Sequence, residues 1–323
     1  MGARGDKIRV GITMGDPSGI GPAIIHKAIS SLKGLADFII IGDKWVFDRT
    51  QNSKLRTQNY KFIDLKNVSH KGFKIGVVRA EYGRASLEYL DRATGLIKGK
   101  IIDCLVTGPV SKEAISLSGF PGFSGHTEYL AAKAGIKHFV MMLLNKKLKF
   151  SLATRHIPLK DVPARLDADK ICKTILLTRR YIKELFLIRK PRIAVCGLNP
   201  HASDNGLLGQ EENKIIKPAL TRIAKNIRYI DGPLAADTAI LKAIEGRYDC
   251  IIAMYHDQAL IALKMSGGAH SGVNLTLGLP FIRTSPLHGT AFDIASRSNL
   301  ASPDSLIEAI RVAVKCTLNQ RKD

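Results

Sequence analysis

YDCIIAMYHDQALIALK (residues 248–264) and VNLTLGLPFIRTSPLHGTAFDIAS (residues 273–296) decide the reading of this chain. CIIAM (250–254) is a short apolar run of strand length, and the turn after it carries Tyr255, His256, Asp257 and Gln258. In α/β proteins ligands bind at the carboxyl ends of strands. A His-Asp pair placed there can bind a metal or move a proton. Lys264 and Arg283, further on, can hold an anion, with Asn274 between them. The stretch therefore points to an enzyme before anything else is considered.

Working outward, the same strand-then-helix alternation fills most of the chain. IRVGITMG reads as a strand, DPSGIG as a loop, and a helix begins near Pro22, a residue suited to a first helical position. ADFIIIG, IDCLVTGP, HFVMMLLN, LKFSLAT and PRIAVCGLNP give further strands. RASLEYLDRATGLIKGK, DADKICKTILLTRRYIKELF and PDSLIEAIRVAVKCTLNQ have the apolar spacing of amphipathic helices. The polar stretch from Asp48 to Gly72 fits neither period. Alternation of this kind predicts an α/β chain with mostly parallel sheets. At 323 residues it makes one large or two medium domains.

Composition narrows the class. A hydrophobic content of 45% with 24% charged residues describes a globular protein. No apolar run approaches the roughly 18 residues of a membrane span, so no membrane association is expected. The start, MGARGDKIRVGITMG, has no apolar signal core, and Asp6 rules out a myristoylation site at Met1-Gly2. Five cysteines (Cys104, Cys172, Cys196, Cys250 and Cys316) lack metal-ligand spacing and fit a reduced, cytoplasmic setting. Lys and Arg outnumber Asp and Glu by 49 to 28, a net charge of +21 that favours anionic ligands. The basic residues form no aromatic-interleaved stripe or nucleic-acid motif, so a phosphorylated small molecule is expected rather than a specific nucleic acid.

Three histidines follow strand ends: His156 in ATRHIPL, His201 in GLNPHAS and His256 in AMYHDQ. They lie 45 and 55 residues apart, which supports no local ligand motif. Their equivalence is positional, since a parallel sheet would project each from the same end. Three imidazoles suit a divalent transition metal, and local capping is the plainer alternative. GDPSGIGP resembles a phosphate loop without matching GxGxxG or the Walker pattern, and a structural turn explains it equally well. GHTEYLA places His126 and Thr127 at a helix start, where Thr127 could act as a cap. NPHASDNGLLGQEE suits a ligand-contacting loop.

GDPSGIGP, VTGPVSK, GHTEYLA, ATRHIPLKDVP, GLNPHASDNGLLGQEE, YHDQALIALK, VNLTLGLPFIRTS and HGTAFDIA occur in this order from residue 15 to residue 295. Together they closely resemble the 4-hydroxythreonine-4-phosphate dehydrogenase family of vitamin B6 biosynthesis. The resemblance implies two α/β/α domains with mostly parallel sheets flanking an active-site cleft. The first would span 1–130 with 285–323, and the second, with the metal and dimer contacts, 131–284. It implies that His156, His201 and His256 bind one divalent metal (zinc, magnesium or cobalt). One imidazole, that of His156, would come from the second subunit of a homodimer that shares its active site. It also implies that His126, Thr127, Lys264, Asn274 and Arg283 bind a small phosphorylated substrate. His288, Gly289, Thr290 and Asp293 resemble the nucleotide loop of isocitrate and isopropylmalate dehydrogenases, which implies NAD, or NADP, as cofactor. Asp237 and Asp257 are the candidate proton acceptors.

The implied reaction is oxidation of 4-phosphooxy-L-threonine at C3 with decarboxylation to 3-amino-2-oxopropyl phosphate. A sister activity on D-threonate or D-erythronate 4-phosphate is the alternative, and a phosphate acyltransferase of similar architecture a remoter one. The chain departs from the family at Ala23, where Glu is common, at Pro286-Leu287, where Val-Asp is common, and at SRS (296–298). The last two lie beside the nucleotide loop and bear on NAD affinity and NAD-over-NADP preference.

Overall fold

Five strands of one unit pair in parallel throughout, in the order β3-β2-β1-β4-β11. They are β1 (Arg9–Thr13), β2 (Asp37–Gly42), β3 (Tyr60–Asp64), β4 (Cys104–Thr107) and β11 (Ile282–Pro286). A computed structural model describes residues 7–50, 60–225, 227–268 and 272–322 of the chain. Residues 1–6 and 51–59 lie outside these, and with them the reading of the extreme start, including Met1-Gly2, and part of the polar stretch. Compactness divides the chain into residues 1–137 with 279–322 and residues 138–278. The division at 137/138 and 278/279 places Arg283 in the first unit, where β11 pairs with β4.

The first unit is built on runs that are apolar enough to be buried on both faces. β1 and β4 contribute Val10, Ile12, Leu105 and Val106, all fully buried, as a parallel sheet under helices requires. Each such side chain contributes about 1.5–3 kcal/mol on burial. The helix Gly21–Ser31 begins at Gly21-Pro22, and the helix Asp304–Gln320 packs on β11 and β4. Strand order runs outward from β1 to β3 on one side and through β4 to β11 on the other. The reversal between β1 and β4 is where doubly wound sheets open a ligand crevice.

The second unit carries β5 (Val140–Leu144), β6 (Lys149–Leu152), β7 (Ile193–Cys196), β8 (Ile230–Leu234), β9 (Cys250–Ala253) and β10 (Val273–Leu277). Their order is β10-β5-β6-β9-β7-β8. The pairs β10/β5 and β5/β6 are antiparallel, and β6/β9, β9/β7 and β7/β8 are parallel. The helix Ala168–Phe186 is capped by Asp167, whose Oδ1 accepts from Lys170 N at 2.6 Å. Its stripe Ile171, Ile175, Ile182 and Leu185 is buried. Ile171 and Ile175 belong to a core with Ile193, Val195, Ile252 and Met254. All five cysteines are free and buried. No described helix is long and apolar enough to cross a membrane.

Candidate active site

In the first unit the loops leaving β1, β4 and β11 brace one another. Gly15 has φ +75, and a Cβ there would stand 2.3 Å from the Pro109 carbonyl oxygen, so only glycine fits. Asp16 N donates to Pro109 O at 2.9 Å, and Ile20 N donates to Thr290 O at 3.0 Å. The phosphate-loop-like GDPSGIGP therefore acts here as a turn whose amides bond to neighbouring loops. Ser18 N donates to Asp16 Oδ1 at 2.9 Å, and Asp16 is fully buried. Burial raises its carboxyl to about 6, against the lowering effect of the Ser18 bonds. Its Oδ2 is buried without a hydrogen-bond partner among the described residues.

Beside these loops opens a cleft with about 330 Å³ of empty volume, partly open to solvent. Thr107–Val110 and Ser285–Gly289 frame it, with His126. Arg283 lies next to it, 1% exposed. In the parallel register Arg283 pairs with Leu105, so Arg283, Ser285, Leu105 and Thr107 share one face of the sheet. Arg283 Nη2 donates to Thr107 Oγ1 at 2.6 Å and Nη1 to Thr127 Oγ1 at 3.3 Å. Burial lowers the guanidinium to about 9, with the nearby Glu128 carboxylate opposing, and it stays cationic at neutral pH.

His126 opens the helix His126–Lys133, whose cap position is Gly125, so Thr127 faces Arg283 and does not cap. Burial first, and then the charge of Arg283, hold the His126 imidazole well below its ordinary value, outweighing its bond to the Gly108 backbone. It is a neutral ring, and its Nε2 is buried with no hydrogen-bond partner among the described residues. His288 and Gly289 line the same cleft. Thr290 contributes its carbonyl to the loop brace, and Asp293 is exposed. Of the two departures beside this loop, Pro286 lines the cleft and Leu287 N donates to Ser305 Oγ at 3.0 Å.

In the second unit the structure brings two of the three histidines, His156 and His256, together. β6 and β9 are parallel neighbours with Leu152 opposite Ala253. Beyond them, Ala153 N donates to Ala253 O and Thr154 Oγ1 to Met254 O, at 2.9 and 2.6 Å. Held in step, the two exits bring His156 and His256 together, with ring centroids 5.5 Å apart. His156 has φ 45, and His256 is the first residue of the helix His256–Gly267. Its Nδ1 lies 2.8 Å from Asp257 Oδ1, which leaves Nε2 for another partner.

β7 is the next strand, and Gln258 ties its exit to that of β9. Gln258 accepts from Met254 N at 2.7 Å and donates to Gly197 O at 2.9 Å. Downstream, His201 is exposed and begins a run of five residues with φ between 43 and 70. Such left-handed backbone costs about 1–2 kcal/mol per residue and needs support. Glu212 supplies support on the approach: one oxygen accepts from Leu198 N and Asn199 N at 2.7 and 2.8 Å, the other from Asn199 Nδ2 at 2.9 Å. Burial pushes its carboxyl up, but these bonds hold it below the ordinary value.

Lys264 is exposed two turns beyond His256 on the same helix. Asn274 is half-buried on β10, its Oδ1 buried without a hydrogen-bond partner among the described residues. Asp237 is exposed in the first turn of the helix Ala236–Ile244, and its Oδ1 accepts from Thr238 N at 2.7 Å. Among the described residues no group of three His, Cys, Asp or Glu is arranged as a metal cluster. The pair itself has suitable spacing. With Zn–N near 2.1 Å, two imidazole centroids on one tetrahedral ion stand roughly 5 Å apart.

Thr107, Asp16, Gln258 and Glu212 all lie in stretches whose sequence stands out, yet none is a candidate from sequence. Thr107 carried one usable signal: a hydroxyl residue ending an apolar strand before Gly-Pro.

The sequence profile of the family described as "Pyridoxal phosphate biosynthetic protein PdxA" matches residues 23–313. A 4-hydroxythreonine-4-phosphate dehydrogenase of Sulfurihydrogenibium sp. (strain YO3AOP1) is 43% identical over 95% of this chain and 98% of its own length. A D-threonate 4-phosphate dehydrogenase of Salmonella typhimurium is 38% identical, over 95% of this chain and 98% of its own. The crystal structure of a 4-hydroxythreonine-4-phosphate dehydrogenase from Klebsiella pneumoniae superposes with a TM-score of 0.86 at 35% identity, covering 98% of this chain and 99% of that one.

Proposed function

The chain belongs to the pyridoxal phosphate biosynthetic protein PdxA family and is a dehydrogenase; we propose that it oxidises 4-phosphooxy-L-threonine at C3 and decarboxylates the product to 3-amino-2-oxopropyl phosphate. The single observation that carries this reading is the buried, cationic Arg283, held by two threonine hydroxyls beside an open cleft. A planar guanidinium fixed in this way suits a phosphate dianion. Neutral His126 offers the same ligand a hydrogen-bonding partner without competing charge, and Thr127 contacts it alongside. Lys264 and Asn274 bind the remaining polar groups of the substrate. His288, Gly289, Thr290 and Asp293 contact NAD, or NADP, which accepts the hydride.

His156 and His256 would hold a divalent cation (zinc, magnesium or cobalt), with His201 as the third ligand. Such an ion supplies Lewis-acid polarisation of the substrate hydroxyl and, after oxidation, of the ketone. Asp257 fixes the tautomer of His256 and presents its Nε2, a positioning role. Asp237 is the carboxylate left to take the hydroxyl proton. Because His156 and His256 stand together within one chain, the imidazole supplied by a second copy would be that of His201. Exposed Leu207, Ile261 and Met265 in this unit fit a homodimer interface. Bound NAD, or NADP, would supply the two-electron acceptor; carbon dioxide would leave with the bonding pair kept as an enolate, and the one proton released in oxidation would be taken up by the product.

A second reading, turnover of D-threonate 4-phosphate, is favoured by the 38% identical relative of that name. NADH formation by metal-loaded protein separates the two, with 4-phosphooxy-L-threonine compared against D-threonate and D-erythronate 4-phosphates, before and after chelation. Chelator-sensitive turnover of the threonine compound alone is expected. Preference for a sugar-acid phosphate would move the protein to the second reading, and no turnover of any would overturn both.

A further inference from the structure

The geometry points to Thr107 as a positioning residue that sets substrate affinity by aiming the Arg283 guanidinium into the cleft. The inference rests on the reading of Arg283 as the phosphate-binding group. Thr107 is the last residue of β4, fully buried, and lines the cleft. Arg283 starts from the strand next to it, level with Leu105, two residues earlier on the same face. To reach the carboxyl ends of the strands its side chain must run along the sheet, past Leu105 to Thr107. The 2.6 Å bond to Thr107 Oγ1 ends that path. It is the shorter of the two threonine bonds, the Thr127 contact being 3.3 Å.

The chemistry of the acceptor matters as much as its place. A carboxylate at Thr107 would fix the guanidinium equally well but would neutralise it, and a dianionic ligand would then meet little net charge. A hydroxyl accepts one N–H and adds no charge. The Thr107 bond aims the fork without itself adding a neutralising charge. Thr127 differs in kind, since it lies in the first turn of the helix that His126 opens, and that helix is not part of the sheet. Thr107 is anchored in the strand beside Arg283, so it ties the side chain to the framework that already fixes its backbone.

The test is steady-state kinetics of the full-length, metal-loaded protein carrying Thr107→Val or Thr107→Ser, with competitive inhibition by inorganic phosphate measured alongside. Thr107→Val keeps the volume and removes the acceptor. A hydrogen bond to a charged group corresponds to roughly ten- to hundredfold in affinity. Thr107→Val is therefore expected to raise KM and the phosphate inhibition constant together by about tenfold or more, with kcat within a factor of about three. Thr107→Ser should recover most of that loss. Thr107→Ala serves as a second hydroxyl deletion should the valine variant fail to fold. Unchanged KM and phosphate inhibition in a folded deletion variant would overturn the proposal, as would equal losses in the serine and valine variants. Arg283→Met is measured in parallel: if it leaves phosphate inhibition intact, the underlying reading of Arg283 fails, and a loss there with none at Thr107 sinks the positioning role alone.

Discussion

The two units carry opposite kinds of site. In the first, Arg283 is almost wholly buried and its guanidinium is bonded to Thr107 and Thr127 beside a cleft. In the second, two imidazoles stand 5.5 Å apart on loop and helix ends, with a third on an exposed left-handed turn. The half proposed to bind the anion is organised by the sheet itself, whereas the half proposed to bind a metal draws its candidate ligands from loops and a helix start. Burial explains the difference. A cation held inside a protein needs fixed partners at all times, and histidines that are exposed (His156, His201) or half-buried (His256) do not.

The largest effect expected from breaking this contrast is at Arg283. Arg283→Met removes a buried charge-assisted contact and should lower kcat/KM by about thirty- to several-thousandfold, chiefly through KM. Titration of the phosphorylated substrate checks it, and retained affinity would dissolve the distinction between the units. Next comes His256→Ala, which should abolish stoichiometric metal binding in an elemental assay while leaving the circular dichroism spectrum and oligomeric state unchanged. Metal content equal to that of the parent protein would remove the histidine pair from the account. Asp257→Asn sharpens the same point, since it keeps the ligand and loses its orienting carboxylate. Metal affinity should fall about ten- to hundredfold, as for other partners behind a metal ligand.

Much of this contrast was legible in the sequence, and the parts that were not share a cause. β1, β2, β4, β5, β6, β7 and β9 announce themselves as apolar runs, and the long helices by their periodicity. β10 and β11 do not, because neither is an apolar run: VNLTL carries Asn274 and Thr276, and IRTSP has three polar residues in a row, all of them but Asn274 nonetheless buried. A strand that carries Arg283 into the interior breaks the pattern by which strands are recognised, as residues proposed to serve a site often do. β8 has no apolar run to mark it, because IDGPL contains Asp and Gly-Pro and is only half-buried. The positional argument for the histidines came from strand ends alone. Adjacency of His156 and His256 required knowing that β6 and β9 are neighbours, which no local pattern encodes. Glu212 and Asp16 were hidden for a simpler reason: their roles are hydrogen bonds to backbone amides, and these exist only once the loops are folded.

The smallest effect expected concerns stability. The Asp16 carboxyl is raised from 3.8 to about 6 by burial, so the folded state holds a proton that the unfolded chain releases earlier. Its stabilising contribution is complete below pH 3.8 and is lost as pH rises through 6. The difference in urea unfolding free energy between the parent protein and Asp16→Asn should therefore change by at most about 3 kcal/mol across that window. A difference that stays constant with pH would show that Asp16 is ionised throughout.

The measurement that tests the central claim most directly is calorimetric titration of 4-phosphooxy-L-threonine into chelator-treated protein, with turnover followed in the same sample before and after metal is restored. The account predicts binding without metal, lost in Arg283→Met, and NADH formation only once metal is present. Absence of binding until metal is added, with Arg283→Met no worse than the parent protein, would contradict a preformed anion site in the first unit.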